Sequence, residues 1–329
     1  MDVSGRKVFV TGAGGFIGSR LCGALAQAGA EVTAMIRYTS HGSRGNLAFL
    51  PAPEQDALRI VSGAVEDAEF VSRQVRGQDT VFHLAALIGI PYSYVAPRSY
   101  LHVNVEGGLN ILEAARRHEV RRVIVTSTSE VYGTAKYTPI DEGHPLQGQS
   151  PYSASKIAAD KLAESYHCAF GLPVATVRPF NTYGPGQSAR AVIPTIITQA
   201  LGSPEIRLGS LTPVRDMLYV DDTVAGFLRA ALADCPPGQP VNLGTGRGVS
   251  IGELARTILA LMDCAKPVVT DPERVRPEKS EVFELICDNR RAAGQLGWSP
   301  AVELEQGLAE TIRFVAAHPE FYNVKGYAV

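Results

Sequence analysis

Residues Lys7-Val8-Phe9-Val10-Thr11 run directly into Gly12-Ala13-Gly14-Gly15-Phe16-Ile17-Gly18, and an amphipathic stretch over 17–28 follows. A β-branched run, a glycine-rich turn and a helix in immediate succession leave few folds open. The chain must turn tightly, let another backbone or a ligand approach closely, and pack a helix on a sheet. The spacing Gly12, Gly15, Gly18 serves all three needs, whereas a Gly-x-Gly-x-x-Gly reading from Gly12 would need glycine where Ile17 stands. Free N–H groups and the positive end of the helix dipole suit a pyrophosphate, so the segment predicts dinucleotide binding.

The alternation continues beyond it. Residues 31–37, 58–61, 80–84, 122–127 and 173–178 read as strands, several of them apolar on both parities as buried parallel strands are. Helical patterns occupy 103–118 and 152–170, and Gly29 suits the end of the first helix. The expected class is α/β: a doubly wound parallel sheet of the Rossmann kind, with a smaller mixed α/β C-terminal substrate-binding domain. The boundary is placed between 1–179 and 180–329, with 241–243 returning as a strand to the first sheet. Beyond Arg178 the prolines at 179, 185, 194, 204 and 213 interrupt the pattern, and helices are expected at 251–262 and 304–316.

Composition sets the outer limits. With 45% hydrophobic and 19% charged residues in 329, global disorder is excluded. No run approaches the roughly 18 apolar residues of a membrane span, and the N-terminal residues lead into the first strand without a secretory apolar region. Lys plus Arg total 31 against 33 Asp plus Glu, a formal net charge of −2 that offers nucleic acid no basic excess. The cysteines Cys22, Cys168, Cys235, Cys264 and Cys287 form no Cys-x-x-Cys pair and no metal spacing, as expected of reduced thiols in a cytoplasm. A cytoplasmic enzyme without metal, membrane or nucleic-acid partner is expected.

The cofactor and the base are read from two further segments. An NAD site normally carries an acid at the end of strand two, about 20 residues past the glycines. Here Met35-Ile36-Arg37-Tyr38-Thr39-Ser40 has none. Arg37 is placed to meet a 2′-phosphate, with Ser40 and Arg44 beside it, or to stack on the adenine of NAD; the residues lean towards NADP. Tyr152 and Lys156 are four apart and share a helix face, and Ser150-Pro151 supplies the helix start. A lysine beside a tyrosine, with a cationic nicotinamide close, lowers the phenol pKa so that phenolate acts as base. Tyr132 and Lys136 repeat the spacing, but Gly133 follows a strand end there, so context selects Tyr152. His83, at an apolar strand end, reads as structural.

Thr11 to Gly18, Phe82-His83-Leu84-Ala85-Ala86, Asn104, Tyr152 with Lys156, and Arg178-Pro179-Phe180-Asn181-Thr182-Tyr183-Gly184-Pro185 together resemble the extended short-chain dehydrogenases/reductases that modify nucleotide sugars. Leu87-Ile88-Gly89-Ile90-Pro91-Tyr92-Ser93-Tyr94, Ser210-Leu211-Thr212-Pro213-Val214-Arg215-Asp216 and Arg274-Val275-Arg276-Pro277-Glu278-Lys279-Ser280-Glu281 resemble the hexose 4,6-dehydratases within that branch. The resemblance is to those making 4-keto-6-deoxy N-acetylhexosamine nucleotides for legionaminic-acid-type sugars. It implies NAD(P)+, tightly bound, regenerated each turnover and held at Gly12, Gly15, Phe16, Ile17, Gly18, Arg37, Ser40, Ala85, Tyr152 and Lys156; NAD is allowed as well as NADP. It implies a nucleotide-sugar substrate met by Tyr92, Asn181, Arg190, Arg215 and Arg276, and a homodimer through helices 103–118 and 152–170. One departure is Ala64, where the family usually has an acid near the adenine.

The resemblance also places Thr128 where the family presents a hydroxyl to the sugar. Glu130, two residues on, shares its face if the chain stays extended, and can take the C5 proton that a C4 ketone makes acidic. Ser129 stands where many dehydratases have Asp, as in the GDP-mannose dehydratases; it is expected to orient O6 or a water while Glu130 returns its proton. The expected activity converts an NDP-hexose, UDP- or GDP-N-acetylglucosamine, to its 4-keto-6-deoxy form. Tyr152 deprotonates the C4 hydroxyl as hydride passes to the nicotinamide, Glu130 deprotonates C5, water leaves C6, and the hydride returns to C6. A UDP-glucuronate decarboxylase and a 4-epimerase share the first step, and Glu130 disfavours the epimerase. A non-catalytic nucleotide-sugar sensor is the alternative of a different class; the complete set Thr128, Tyr152 and Lys156 argues against it.

Overall fold

The computed structural model describes residues 3–232, 237–275 and 280–322. Its strands are β1 (Lys7–Thr11), β2 (Glu31–Ile36), β3 (Leu58–Ser62), β4 (Thr80–His83), β5 (Arg122–Thr126), β6 (Val174–Pro179) and β7 (Asn181–Tyr183). They continue with β8 (Ile206–Leu208), β9 (Val214–Tyr219), β10 (Pro240–Leu243), β11 (Gly248–Ser250), β12 (Val268–Thr270) and β13 (Glu284–Leu285). The helices are α1 (Phe16–Gln27), α2 (Ala52–Asp56), α3 (Ala68–Val75), α4 (Ile90–Val95), α5 (Pro97–Tyr100) and α6 (Gly107–Arg117). After them come α7 (Pro151–Phe170), α8 (Val192–Gly202), α9 (Val220–Leu232), α10 (Ile251–Leu261), α11 (Leu304–Ala317) and α12 (Pro319–Tyr322).

Seven parallel strands form the main sheet in the order β3-β2-β1-β4-β5-β6-β10. Side-chain alternation explains why these strands are apolar throughout. Val8, Val10, Ile124 and Val177 face one way, onto Leu21 and Leu25 of α1 and Phe227 of α9. Phe9, Val81, Val123 and Val125 face the other, onto Val71 of α3, Ile111 of α6 and Ala163 of α7. Both faces are dry, and each such side chain contributes about 1.5–3 kcal/mol by leaving water. α7 opens with a capping box between Ser150 and Ser153 and ends at left-handed Gly171.

A second sheet centres on β9, with β7 and β13 parallel to it and β11 antiparallel; β8 and β12 form a separate pair. α8, α10 and α11 cover this region through Ile196, Ile197, Ile258 and Leu308.

Three departures from the sequence pattern concern the helices. The helix expected over 103–118 begins as a π-helical stretch, Leu101–Glu106, before becoming α6. α8 lies where prolines interrupt the pattern, because Pro194 falls in its first turn, where no intrahelical N–H is lost. α9 follows β9 without a break, so strand and helix merge into one apolar run, and only Asp221 and Asp222 in its first turn mark the change.

Candidate active site

The site lies where strand order reverses, between the C-terminal ends of β1 and β4. Thr11 joins the two: its Oγ1 accepts from the N–H groups of Leu84 and Ala85, both at 3.1 Å, and lies 2.9 Å from Nδ1 of His83. Gly12 then turns with φ +69°, and a Cβ there would sit 2.7 Å from the Ala85 nitrogen. At Gly18 a Cβ would come within 2.2 Å of the Gly12 carbonyl, so only glycine lets α1 start against the turn. Gly15 is the N-cap of α1, with no side chain capping it and no acid in the first turn. The turn therefore offers backbone N–H groups and a positive dipole end to an anion, and its close approaches fit a dinucleotide pyrophosphate.

Above the turn opens a cleft of about 940 Å³, lined by Gly12, Gly15, Phe16, Ile17, Gly18, Arg37, Ala85, Thr128, Ser129, Glu130, Tyr152, Lys156, Asn181, Arg190 and Arg215. A second groove of about 580 Å³, lined by Arg20, Phe49, Tyr219 and Phe314 among others, contains none of these groups. Two expected residues stay outside the main cleft. Ser40 bonds its neighbour His41, because the chain leaving β2 folds back over the glycine turn, with Asn46 N–H donating to the Gly14 carbonyl at 2.9 Å. Thr39, Ser43 and Arg44 meet the cleft in its place. Tyr92 lies in the helix 90–95 and is not part of the cleft wall, which Ile88 to Pro91 line; the Tyr92 ring lies 6.2 Å from that of Tyr100. Arg276 lies outside the described residues. At the adenine end, Ala64 and Glu66 both line the cleft, while Asp67 is committed to capping α3 through Phe70 N–H.

The candidate reactive groups converge from two elements. β5 ends at Thr126, whose carbonyl accepts from Lys156 Nζ at 2.5 Å. The chain does not stay extended after Thr128, as the sequence reading assumed. It enters a 3-10 turn, Ser129–Tyr132, which Thr128 caps by accepting from Glu130 N–H at 3.2 Å. The turn still leaves Thr128, Ser129 and Glu130 on the cleft wall. Tyr152 is 6% exposed; burial pushes its phenol up, a hydrogen bond with Thr128 opposes this, and the Glu130 charge pushes it up further. The net direction for the phenol is upward, and Lys156 turns its amine to the Thr126 carbonyl. Burial brings Lys156 down to about 8, with Asp160 opposing the shift.

Tyr132, of the rejected pair, is wholly buried: its hydroxyl donates to Asn242 and accepts from Arg178. Asn104 ties the loop after β4 to α7, bonding Leu87 N–H and carbonyl and the Ser155 hydroxyl. Arg215 is buried and pairs with Glu281 at 3.3 Å. Glu281, Gln187 and Arg274 also line the cleft and were not singled out from sequence. Arg274 sits two residues from Arg276 in a stretch whose resemblance was noted, so spacing within that stretch was the available signal.

The family model described as GDP-mannose 4,6 dehydratase matches residues 9–311. The chain is 35% identical over 321 residues to a dTDP-glucose 4,6-dehydratase of Streptomyces griseus, covering 96% of each. The solved dTDP-glucose 4,6-dehydratase of Streptomyces venezuelae, which holds NAD, is similar with a TM-score of 0.86 at 30% identity, over 96% of this chain and 98% of that one. The UDP-N-acetylglucosamine 4-epimerase of Methanobrevibacter ruminantium M1, in complex with UDP-N-acetylmuramic acid, gives a TM-score of 0.87 at 27% identity, over 96% and 99%.

Proposed function

This chain belongs to the GDP-mannose 4,6-dehydratase family of extended short-chain dehydrogenases/reductases, and from that premise we propose that it dehydrates an N-acetylhexosamine nucleotide, UDP- or GDP-N-acetylglucosamine, to the 4-keto-6-deoxy sugar. The observation that carries the reading is Glu130: a carboxylate on the cleft wall, close enough for its charge to act on the Tyr152 phenol. A 4-epimerase needs only removal and return of hydride at C4, and has no use for a base at C5.

Gly12, Gly15, Phe16, Ile17, Gly18, Arg37, Ala85 and Lys156 would hold NAD(P), with Arg37 and Arg44 favouring the 2′-phosphate of NADP. When bound, that cofactor accepts hydride from C4 and returns it to C6. Tyr152 takes the proton of the C4 hydroxyl, and Thr128 orients the phenol by hydrogen bond. Glu130 removes the C5 proton once C4 is a ketone, then delivers it to the departing C6 hydroxyl, which Ser129 orients. Asn181, Arg190, Arg215 and Arg276 are assigned to the nucleotide diphosphate.

Mass spectrometry of the protein with UDP-, GDP- and dTDP-hexoses, N-acetylglucosamine and glucuronate forms included, tests this. Loss of one water from a single N-acetylhexosamine nucleotide is expected. Loss of carbon dioxide from the glucuronate, or unchanged mass with a new C4 epimer, rejects it. In the Glu130→Gln variant dehydration is expected to fall roughly 10²–10⁴-fold, while C4 oxidation persists as absorbance of the reduced nicotinamide.

A further inference from the structure

Behind Tyr152 and Lys156 lies a buried chain of polar groups that the reaction as read above does not use. Asp160 is four residues beyond Lys156, so Tyr152, Lys156 and Asp160 line one face of α7. Its carboxylate is buried, and Oδ2 accepts from the Ser127 hydroxyl at 2.8 Å and from Arg178 Nε at 3.0 Å. Arg178 donates through NH1 to the Tyr132 hydroxyl at 2.9 Å, and that hydroxyl donates to Asn242 Oδ1 at 2.6 Å. Asn242 of β10 donates in turn to the Ile140 carbonyl at 3.1 Å. The ends of β5, β6 and β10 are thereby tied to the middle of α7.

A buried ion pair adds little stability over a well-packed apolar replacement, so Asp160 and Arg178 call for another account. Ser127 stands between the two residues that meet the reactive pair: Thr126, whose carbonyl holds Lys156, and Thr128, which bonds Tyr152. Fixing Ser127 fixes both. We propose that Asp160 is a positioning residue for Tyr152 and Lys156: through Ser127 it sets the end of β5, and on the shared face of α7 it places its carboxylate one helical turn from the Lys156 amine. The proposal rests on the reading of Tyr152 and Lys156 as the reactive pair.

The groups facing Lys156 are His83 from β4, Tyr152 and Asp160 from α7, and, behind Asp160, Arg178 from β6. Burial holds His83 neutral, so Asp160 is the charge that opposes the desolvation of Lys156. An asparagine there leaves the Arg178 charge uncompensated and removes that support.

Titration of isotope-labelled Lys156 by NMR in the ligand-free protein reads the charge directly. In Asp160→Asn the Lys156 pKa is expected below the wild-type value. Ser127→Ala keeps the ion pair but removes one hydrogen bond to a buried carboxylate; its melting temperature should fall by only a few degrees, and kcat should fall about tenfold with little change in KM. An unchanged Lys156 pKa in Asp160→Asn overturns the proposal, as does wild-type kcat in folded Ser127→Ala. If Asp160→Asn does not fold, the Ser127→Ala result decides alone. Lys156→Met separates the two levels: full activity in that variant removes the reactive pair itself, whereas its inactivity beside a wild-type Ser127→Ala removes only the role of Asp160.

Discussion

His83 gives up in the folded protein a proton it would carry in mildly acidic solution. Burial, and next the charge of Lys156, bring it from 6.5 to about 3. Thr11 shows how the neutral ring is used. Its hydroxyl oxygen already accepts two backbone N–H groups, so its own proton is donated to His83 Nδ1. Protonating that nitrogen would break the tie between β1 and β4 at the glycine turn. The unfolded chain binds a proton near 6.5 that the folded chain refuses down to about 3. Stability from this group is therefore complete above 6.5 and declines as pH falls through that window. Melting temperature should drop more steeply with acid in the wild type than in His83→Gln; parallel curves would show that His83 takes up its proton over the same pH range folded and unfolded.

At the scale of elements, the segment from the end of β2 to Asn46 carries the residues proposed to tell NADP from NAD. It folds back over the glycine turn, and a Cβ at Gly45 (φ +58°) would stand 2.3 Å from the Gly14 carbonyl. This return brings Thr39, Ser43 and Arg44 to the cleft beside Arg37 and leaves Ser40 outside. A charge-assisted bond to a phosphate contributes about 1.5–3 kcal/mol, so Arg37→Ala should weaken NADP binding roughly 10- to 100-fold and NAD binding far less. Calorimetric titration with each dinucleotide measures the difference; equal losses for both would mean that Arg37 serves the shared adenine. Such a fold-back leaves no periodic signature, so sequence showed Arg37 but not which hydroxyls accompany it.

Over the whole molecule, Asp216 joins parts distant in the chain. Its buried carboxylate accepts from Thr245 N–H (2.8 Å), the Thr245 hydroxyl (2.6 Å), Gly246 N–H (2.8 Å) and Cys287 N–H (3.1 Å). The residue beside it, Arg215, lines the cleft, so the same junction holds a residue of the cleft wall. Asp216→Asn sets an amide N–H against N–H donors and should cost about 3 kcal/mol in denaturant unfolding; a cost within about 0.5 kcal/mol would place the burden of that junction elsewhere. Assembly belongs to this scale too. α6 and α7 lie together on one sheet face, and Leu101, in the π-helical stretch before α6, and Phe170 of α7 leave 53% and 56% of their surface exposed. Sedimentation velocity should show a dimer; a monomer at micromolar concentration would reject the pairing through these helices.

The sequence by itself determined the alternating elements of the main sheet, the glycine turn and the helix carrying Tyr152 and Lys156. Each of these is written in local order: parity in strands, a period of 3.6 in helices, glycine where a Cβ would collide. It did not determine α9, which merges with β9, nor the π-helical start before α6. The partners were decided by tertiary structure. Asp160 with Ser127 and Arg178, Asp216 with Cys287, and Arg215 with Glu281 are joined across 18 to 71 residues of chain. A buried charge has no local pattern to announce it. Its cost is met only by whatever groups the finished packing brings within hydrogen-bond reach, so pairing of this kind exists only once the sheets and helices have closed around it.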